Sequence, residues 1–271
     1  MDYAKLDQPE VLAVLFHPRR DETPPPAGAV DVEIPVADGV VVGGRFFLAA
    51  EPAVANILFF HGNGEVAADY DDIGPRYNAR GISLLAVDYR GYGRSTGSPA
   101  ASAMLADAHL VLQWVKEWLK TEQRTGPLVV MGRSLGCAPA LELAATKDPA
   151  IAGLIIESGF ALTVPLLENL GLDTASLGIA EGDCFRNQLK IVSFQKPTYI
   201  LHAQYDQIIP LVNAETLQAQ SGAQAKEFAI IPGADHNNII ERVGEMYFSE
   251  IRRFMGKIGK PQRRAKPGVR G

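Results

Sequence analysis

From position 57 onward the chain alternates between short, almost wholly apolar runs and longer stretches in which apolar residues recur with helical spacing. The apolar runs fall at 57–60, 83–87, 128–131, 153–156, 198–201 and 228–231 and read as strands buried on both faces. Helices are predicted between or after them over 66–80, 101–119, 135–145, 211–220 and 237–255. Doubly apolar strands alternating with helices argue for an α/β fold, a mostly parallel sheet covered on both faces. Ahead of these, 30–35 and 40–48 flank the tight-turn signal Ala37-Asp38-Gly39, which predicts an antiparallel pair at one edge of a sheet of about eight strands. An amphipathic stretch at 9–16 and a loop containing Pro24-Pro25-Pro26 precede that pair.

This pattern divides the chain into an N-terminal extension (1–29), a main domain (30–256) and a tail (257–271). One segment, 158–197, breaks the alternation. Structureless loops of that length are rare inside a compact domain. Two readings stay open for its Leu162, Val164, Leu166, Leu167, Leu170 and Leu172. They line a small helical cap over a binding site, facing an acyl group, or they are core residues of an ordinary outer-layer helix.

Composition narrows the function. At 271 residues and 47% hydrophobic, the chain can bury a sizeable core as one domain. A net charge of −5 gives no support to nucleic-acid binding. No apolar run approaches the ~18–20 residues that span a bilayer, and Met1-Asp2-Tyr3-Ala4-Lys5 does not open a secretory signal. The two cysteines, Cys137 and Cys184, are not expected to form a structural disulfide, so a cytoplasmic location is the natural reading. The tail carries Lys257, Lys260, Arg263, Arg264, Lys266 and Arg270 with no acidic residue. It is either a solvated end or a contact for anionic surfaces.

The chemistry concentrates in a few places. Gly132-Arg133-Ser134-Leu135-Gly136 follows the apolar run 128–131 and precedes a predicted helix. A G-x-S-x-G sequence at a strand-to-helix turn presents a serine hydroxyl above the sheet, and the glycines remove Cβ atoms that would collide there. A serine nucleophile needs a base and an acid to orient that base. Asp206 follows the strand at 198–201 and His236 follows the one at 228–231, giving the order Ser134, Asp206, His236. That is the order of the α/β-hydrolase sheet, and all three lie past strand ends, where open parallel sheets gather ligands. A Gly-rich turn, His61-Gly62-Asn63-Gly64, follows the strand at 57–60. The backbone N–H groups of Asn63 and Leu135 are the expected oxyanion donors.

Taken together, His61-Gly62-Asn63-Gly64, Asp88-Tyr89-Arg90-Gly91-Tyr92-Gly93-Arg94-Ser95, the Ser134 motif, His202 through Asp206, and Gly233-Ala234-Asp235-His236-Asn237 resemble the α/β-hydrolase superfamily. The likeness is greatest to the branch of small serine hydrolases that includes the abhydrolase-domain-17 depalmitoylases and bacterial relatives. It spans about residues 30 to 255. The resemblance implies a Ser–His–Asp triad and cofactor-free hydrolysis of an ester, thioester or amide, but transmits no substrate. The depalmitoylases carry an N-terminal cluster of lipidated cysteines, whereas no cysteine precedes Cys137 here.

Other residues have plainer expected roles. Glu157 competes with Asp206 as the acid. His61 and His202 read as structural, Asp235 as a turn residue, and Asp88 and Arg90 as fixing the loop that buttresses the nucleophile. Arg133 is either salt-bridged or facing the pocket. No H-E-x-x-H or paired C-x-x-C points to a metal. The expected activity is hydrolysis of a small-molecule ester or thioester with an apolar acyl group. The alternatives are an amidase or peptidase of the same fold, or a non-catalytic small-molecule binding protein.

Overall fold

The computed structural model describes residues 3–51 and 55–258. The expectation for the basic tail falls mainly on 259–271, outside the described residues. Among the described residues there are eight strands: β1 (Ala29–Ala37), β2 (Val40–Phe47), β3 (Ala55–Phe60), β4 (Ile82–Val87), β5 (Leu128–Arg133), β6 (Ile151–Glu157), β7 (Thr198–Ala203) and β8 (Lys226–Ile231). The helices are α1 (Pro9–Leu15), α2 (Gly74–Asn78), α3 (Ala101–Thr121), α4 (Cys137–Ala145), α5 (Thr163–Asn169), α6 (Asn187–Ser193), α7 (Val212–Gln220), α8 (Ile239–Val243) and α9 (Glu245–Met255).

The sheet order is β1-β2-β4-β3-β5-β6-β7-β8. The hairpin β1–β2 and the β2–β4 contact are antiparallel, and every pairing from β4 to β8 is parallel. Period-two alternation splits the strand side chains between two cores. Leu58, Phe60, Val130 and Ile156 join the core under α3 and α4, while Ile57, Phe59, Met131 and Ile155 join the one under α2 and α9. On α3 the buried stripe Met104, Leu105, Ala108, Val111, Leu112, Val115 and Leu119 has the spacing that lays one helical face on the sheet.

Two predicted helices are broken. The stretch 66–80 is a short 3₁₀ turn, Ala67–Tyr70, followed by α2. Pro75 enters at the first turn of α2, where its missing N–H costs nothing, and so starts a new helix instead of continuing one. The stretch 237–255 divides into α8 and α9 at Gly244, whose φ of +55° and ψ of −131° lie outside helical geometry.

The segment 158–197 holds two helices: α5 lies against α1, whereas α6 packs on α4 and α7. The N-terminal extension is built into the core, where Leu6, Val11, Leu15 and Phe16 are buried. Among the described residues no helix is long and apolar enough to cross a membrane.

Candidate active site

Ser134 sits where β5 gives way to a 3₁₀ turn and then α4, with φ of +51°. A non-glycine residue in that region is strained, and such strain gathers at functional sites. The flanking glycines are sterically required. A Cβ on Gly132 would lie 2.2 Å from the Gly136 carbonyl oxygen, and one on Gly136 would lie 2.0 Å from the Phe60 carbonyl oxygen. The elbow therefore packs directly on the end of β3.

The loops after β7 and β8 bring the other two residues to it. His236 Nε2 is 3.0 Å from Ser134 Oγ, and His236 Nδ1 is 2.7 Å from Asp206 Oδ2. The second oxygen, Asp206 Oδ1, accepts the backbone N–H groups of Ile208 at 3.1 Å and Ile209 at 2.7 Å. Burial raises the Asp206 pKa, but the His236 and backbone hydrogen bonds lower it by more, so the carboxylate stays ionised. His202 Nε2 bonds the Ile209 carbonyl at 2.7 Å and lies 3.4 Å from Asp206 Oδ2, bracing the same loop. Burial holds its pKa down. Asp235 closes its own turn, accepting the Asn237 N–H at 2.9 Å. Glu157, the rival acid, faces Arg133 and the Tyr247 hydroxyl instead.

The Gly-rich turn after β3 is held from two sides. Asn63 Oδ1 accepts the His17 N–H at 2.8 Å and the Tyr92 hydroxyl at 2.9 Å, which commits its side chain. The Tyr89 hydroxyl donates to the His61 carbonyl at 2.6 Å. Asp88 Oδ1 lies 3.2 Å from His61 Nε2 and accepts the Ala67 N–H at 2.8 Å. Burial opposes a charged His61, but Asp88, the Gly62 carbonyl and Glu65 raise its pKa overall. Asp88, Tyr89 and Tyr92 thus buttress the 61–64 turn, while Arg90 pairs with Asp107 of α3 through two bonds of 2.7 Å.

Ser134 opens into a cavity of about 270 Å³ shared with Asn63, Leu135 and His236. Its apolar wall consists of Val14, Leu15, Leu166, Leu170, Ile208 and Ile209. Val14, Leu15 and His17 of the N-terminal segment were not foreseen there, and no periodic signal marks them as pocket residues. Leu167, adjacent to Leu166, is wholly buried in the core. A larger cavity of about 340 Å³ lies beyond Arg133 and Asn237, lined by Glu65, Tyr70, Tyr77, Glu157 and Tyr247. The Ser134–His236 pair belongs to the smaller one. Among the described residues no group of three or more His, Cys, Asp or Glu is placed to hold a metal ion.

A hydroxyl, an imidazole and a carboxylate stand in a hydrogen-bonded row at the carboxyl ends of β5, β8 and β7, the arrangement that α/β-hydrolase sites use. Comparison with known proteins agrees. A family model described as serine aminopeptidase, S33, matches residues 51–170. A Mycobacterium tuberculosis protein is 30% identical over 238 residues, covering 85% of this chain and 80% of that protein. The Escherichia coli protein YfhR is 26% identical over 88% of this chain and 84% of its own length. Among solved structures, a Pyrococcus furiosus esterase superposes with a TM-score of 0.70 at 17% identity, over 89% of this chain and 99% of that one. The chain belongs to the α/β-hydrolase superfamily of serine hydrolases.

Proposed function

We propose that this hydrolase cleaves carboxylic esters or thioesters of small to medium apolar acyl groups through an acyl-enzyme. Ser134 attacks the acyl carbon, His236 takes its proton and delivers it to the leaving group, and Asp206 holds the imidazole in the tautomer this requires. The backbone N–H groups of Asn63 and Leu135 hold the developing oxyanion. Water then attacks the acyl-enzyme with His236 again as base. The observation that carries this reading is the continuous relay, 3.0 Å from Ser134 to His236 and 2.7 Å from His236 to Asp206.

The acyl preference follows from the cavity. Its apolar wall suits a hydrocarbon, and its volume of about 270 Å³ falls below the ~300–1,000 Å³ of drug-sized pockets. The esterase activity named for the Pyrococcus structure agrees with an ester substrate. Two buried, unpaired cysteines agree with a cytoplasmic setting.

The test is labelling with a fluorophosphonate, followed by turnover of p-nitrophenyl esters of increasing chain length. Modification of Ser134 and a preference for short to medium esters are expected. A folded sample that resists labelling would leave the site a receptor for small molecules. The aminopeptidase description of the family model favours one second reading, an amidase, and p-nitroanilides turning over faster than the matching esters would establish it.

A further inference from the structure

Two charged residues beside the site have no part in the mechanism above. Arg133 directly precedes Ser134, and its guanidinium is tied in three directions. Nη1 pairs with Glu65 Oε1, and Nε lies 3.3 Å from Glu157 Oε1. Nη2 donates to the His236 backbone carbonyl at 2.9 Å and reaches Asn237 Oδ1 at 3.4 Å. The other oxygen of Glu65, Oε2, accepts the Gly62 N–H at 2.8 Å and the Tyr70 hydroxyl at 2.7 Å. Gly62 immediately precedes Asn63, and a Cβ there would lie 2.7 Å from Arg133 Nη1. The turn is therefore packed onto the guanidinium as well as bonded to it through Glu65.

These contacts form one path from the oxyanion turn, through a carboxylate and a guanidinium, to the backbone of the histidine loop. Only an arginine can serve it. A planar fork with five donors meets Glu65, Glu157 and the His236 carbonyl at once, whereas a lysine is a single point charge. The pair is largely shielded, with the Arg133 side chain 13% exposed and that of Glu65 23% exposed. Burial raises the Glu65 pKa, but Arg133 and His61 lower it by more, so the carboxylate is ionised and both of its oxygens are acceptors.

We propose that Glu65 and Arg133 are positioning residues that hold the Gly62–Asn63 turn and the His236 loop in register about Ser134, fixing the oxyanion donor relative to the base. The proposal rests on Ser134 being the nucleophile. Its leverage is geometric, since misplacement of a reacting group by about 1 Å can cost about 10²-fold in rate.

Glu65→Gln tests it with almost no change of shape. Glutamine has one acceptor oxygen and one amide donor, so it must lose either the Gly62 N–H or the Arg133 link. The protein is titrated to completion with a fluorophosphonate, and kcat and KM for p-nitrophenyl acetate are expressed per titrated site, which counts only folded, competent molecules. Glu65→Gln is expected to lower kcat about tenfold or more while KM stays within threefold. Arg133→Lys, which keeps the charge, should behave alike. The double variant should be no slower than the slower single variant, because one path is cut twice. A merely structural role would reduce the number of titratable sites and leave kcat per site intact. A fall in kcat of threefold or less, a loss confined to KM, or additive losses in the double variant would overturn the proposal. A wild-type protein that does not label removes the hydrolase reading and this one with it. A labelled wild type with an unchanged Glu65→Gln variant removes this one alone.

Discussion

The Tyr92 hydroxyl donates to Asn63 Oδ1 at 2.9 Å while accepting the His17 N–H at 2.7 Å, so one phenol joins the Gly-rich turn to the N-terminal segment. Tyr92 is fully buried, and its ring lies 5.7 Å from that of His61. Asn63 acts in the proposed mechanism through its backbone, so the side chain is free to serve as an anchor. Tyr92→Phe keeps the ring and removes the anchor. One hydrogen bond of this kind contributes about 1 kcal/mol of stability. The expected result is a loss of that order in urea unfolding, with kcat down about threefold to tenfold and KM little changed. Turnover equal to wild type would mean that the turn holds its place without this bond.

Asp206 accepts three hydrogen bonds, two from backbone and one from His236. Asp206→Asn can keep the backbone contacts with its carbonyl oxygen but then turns an NH₂ toward His236 Nδ1, which favours the tautomer with Nε2 protonated. That imidazole cannot take the Ser134 proton. The expected fall in kcat is about 10⁴-fold, with near-native unfolding stability, read from steady-state hydrolysis and a urea melt. A fall of only a few-fold would hand the acid's role to another residue.

Much of this architecture is legible from short-range sequence. The elbow declares itself because steric demands at Gly132 and Gly136 are local to one strand-to-helix turn. The order Ser134, Asp206, His236 anticipates which loops meet, because successive parallel strands deliver their loops to one end of the sheet. What escapes the sequence is assembled from a distance. Glu65 has no motif to distinguish it from a solvated glutamate until Arg133 arrives from another strand. Val14 and Leu15 belong to an amphipathic helix whose buried face continues into the pocket wall. The break at Pro75 is a local signal that the apolar pattern of 66–80 obscures.

Leu166 and Leu167 are neighbours on α5 with different destinies, because each step along a helix turns the side chain by about 100°. Leu166 faces the cavity and Leu167 the core. Leu166→Asn should raise KM for an octanoyl ester by about tenfold, and much less for an acetyl ester, since hydrocarbon contacts in a pocket are worth about 1–3 kcal/mol. Leu167→Ala should leave the chain-length preference alone and cost about 2–5 kcal/mol of stability. Hydrolysis of a graded ester series and chemical denaturation together separate the two. Equal effects of both substitutions on chain-length preference would mean that Leu166 does not line the acyl pocket.

A carboxylate outside the site, Glu142 on α4, is also strongly perturbed. Glu142 accepts the Tyr3 hydroxyl at 3.2 Å, pairs with the buried ammonium of Lys190 on α6, and lies 3.3 Å from the His109 ring on α3. Burial raises its pKa, but His109 and Lys190 lower it by more, to about 2 from a reference of 4.5. Because the folded value is the lower one, the unfolded chain binds more protons between the two. Stability from this group is therefore complete above about pH 5 and drains away as pH falls toward 2, by at most about 3 kcal/mol in total. Glu142→Gln lacks that titration. Its stability deficit against wild type should hold constant above about pH 5.5 and narrow by about 2 kcal/mol by about pH 3, as followed by urea unfolding at each pH. A gap that stays constant throughout would show that Glu142 ionises in the folded chain as it does in the unfolded one. The N-terminal segment, α4 and α6 would then be held together by packing rather than by this charge.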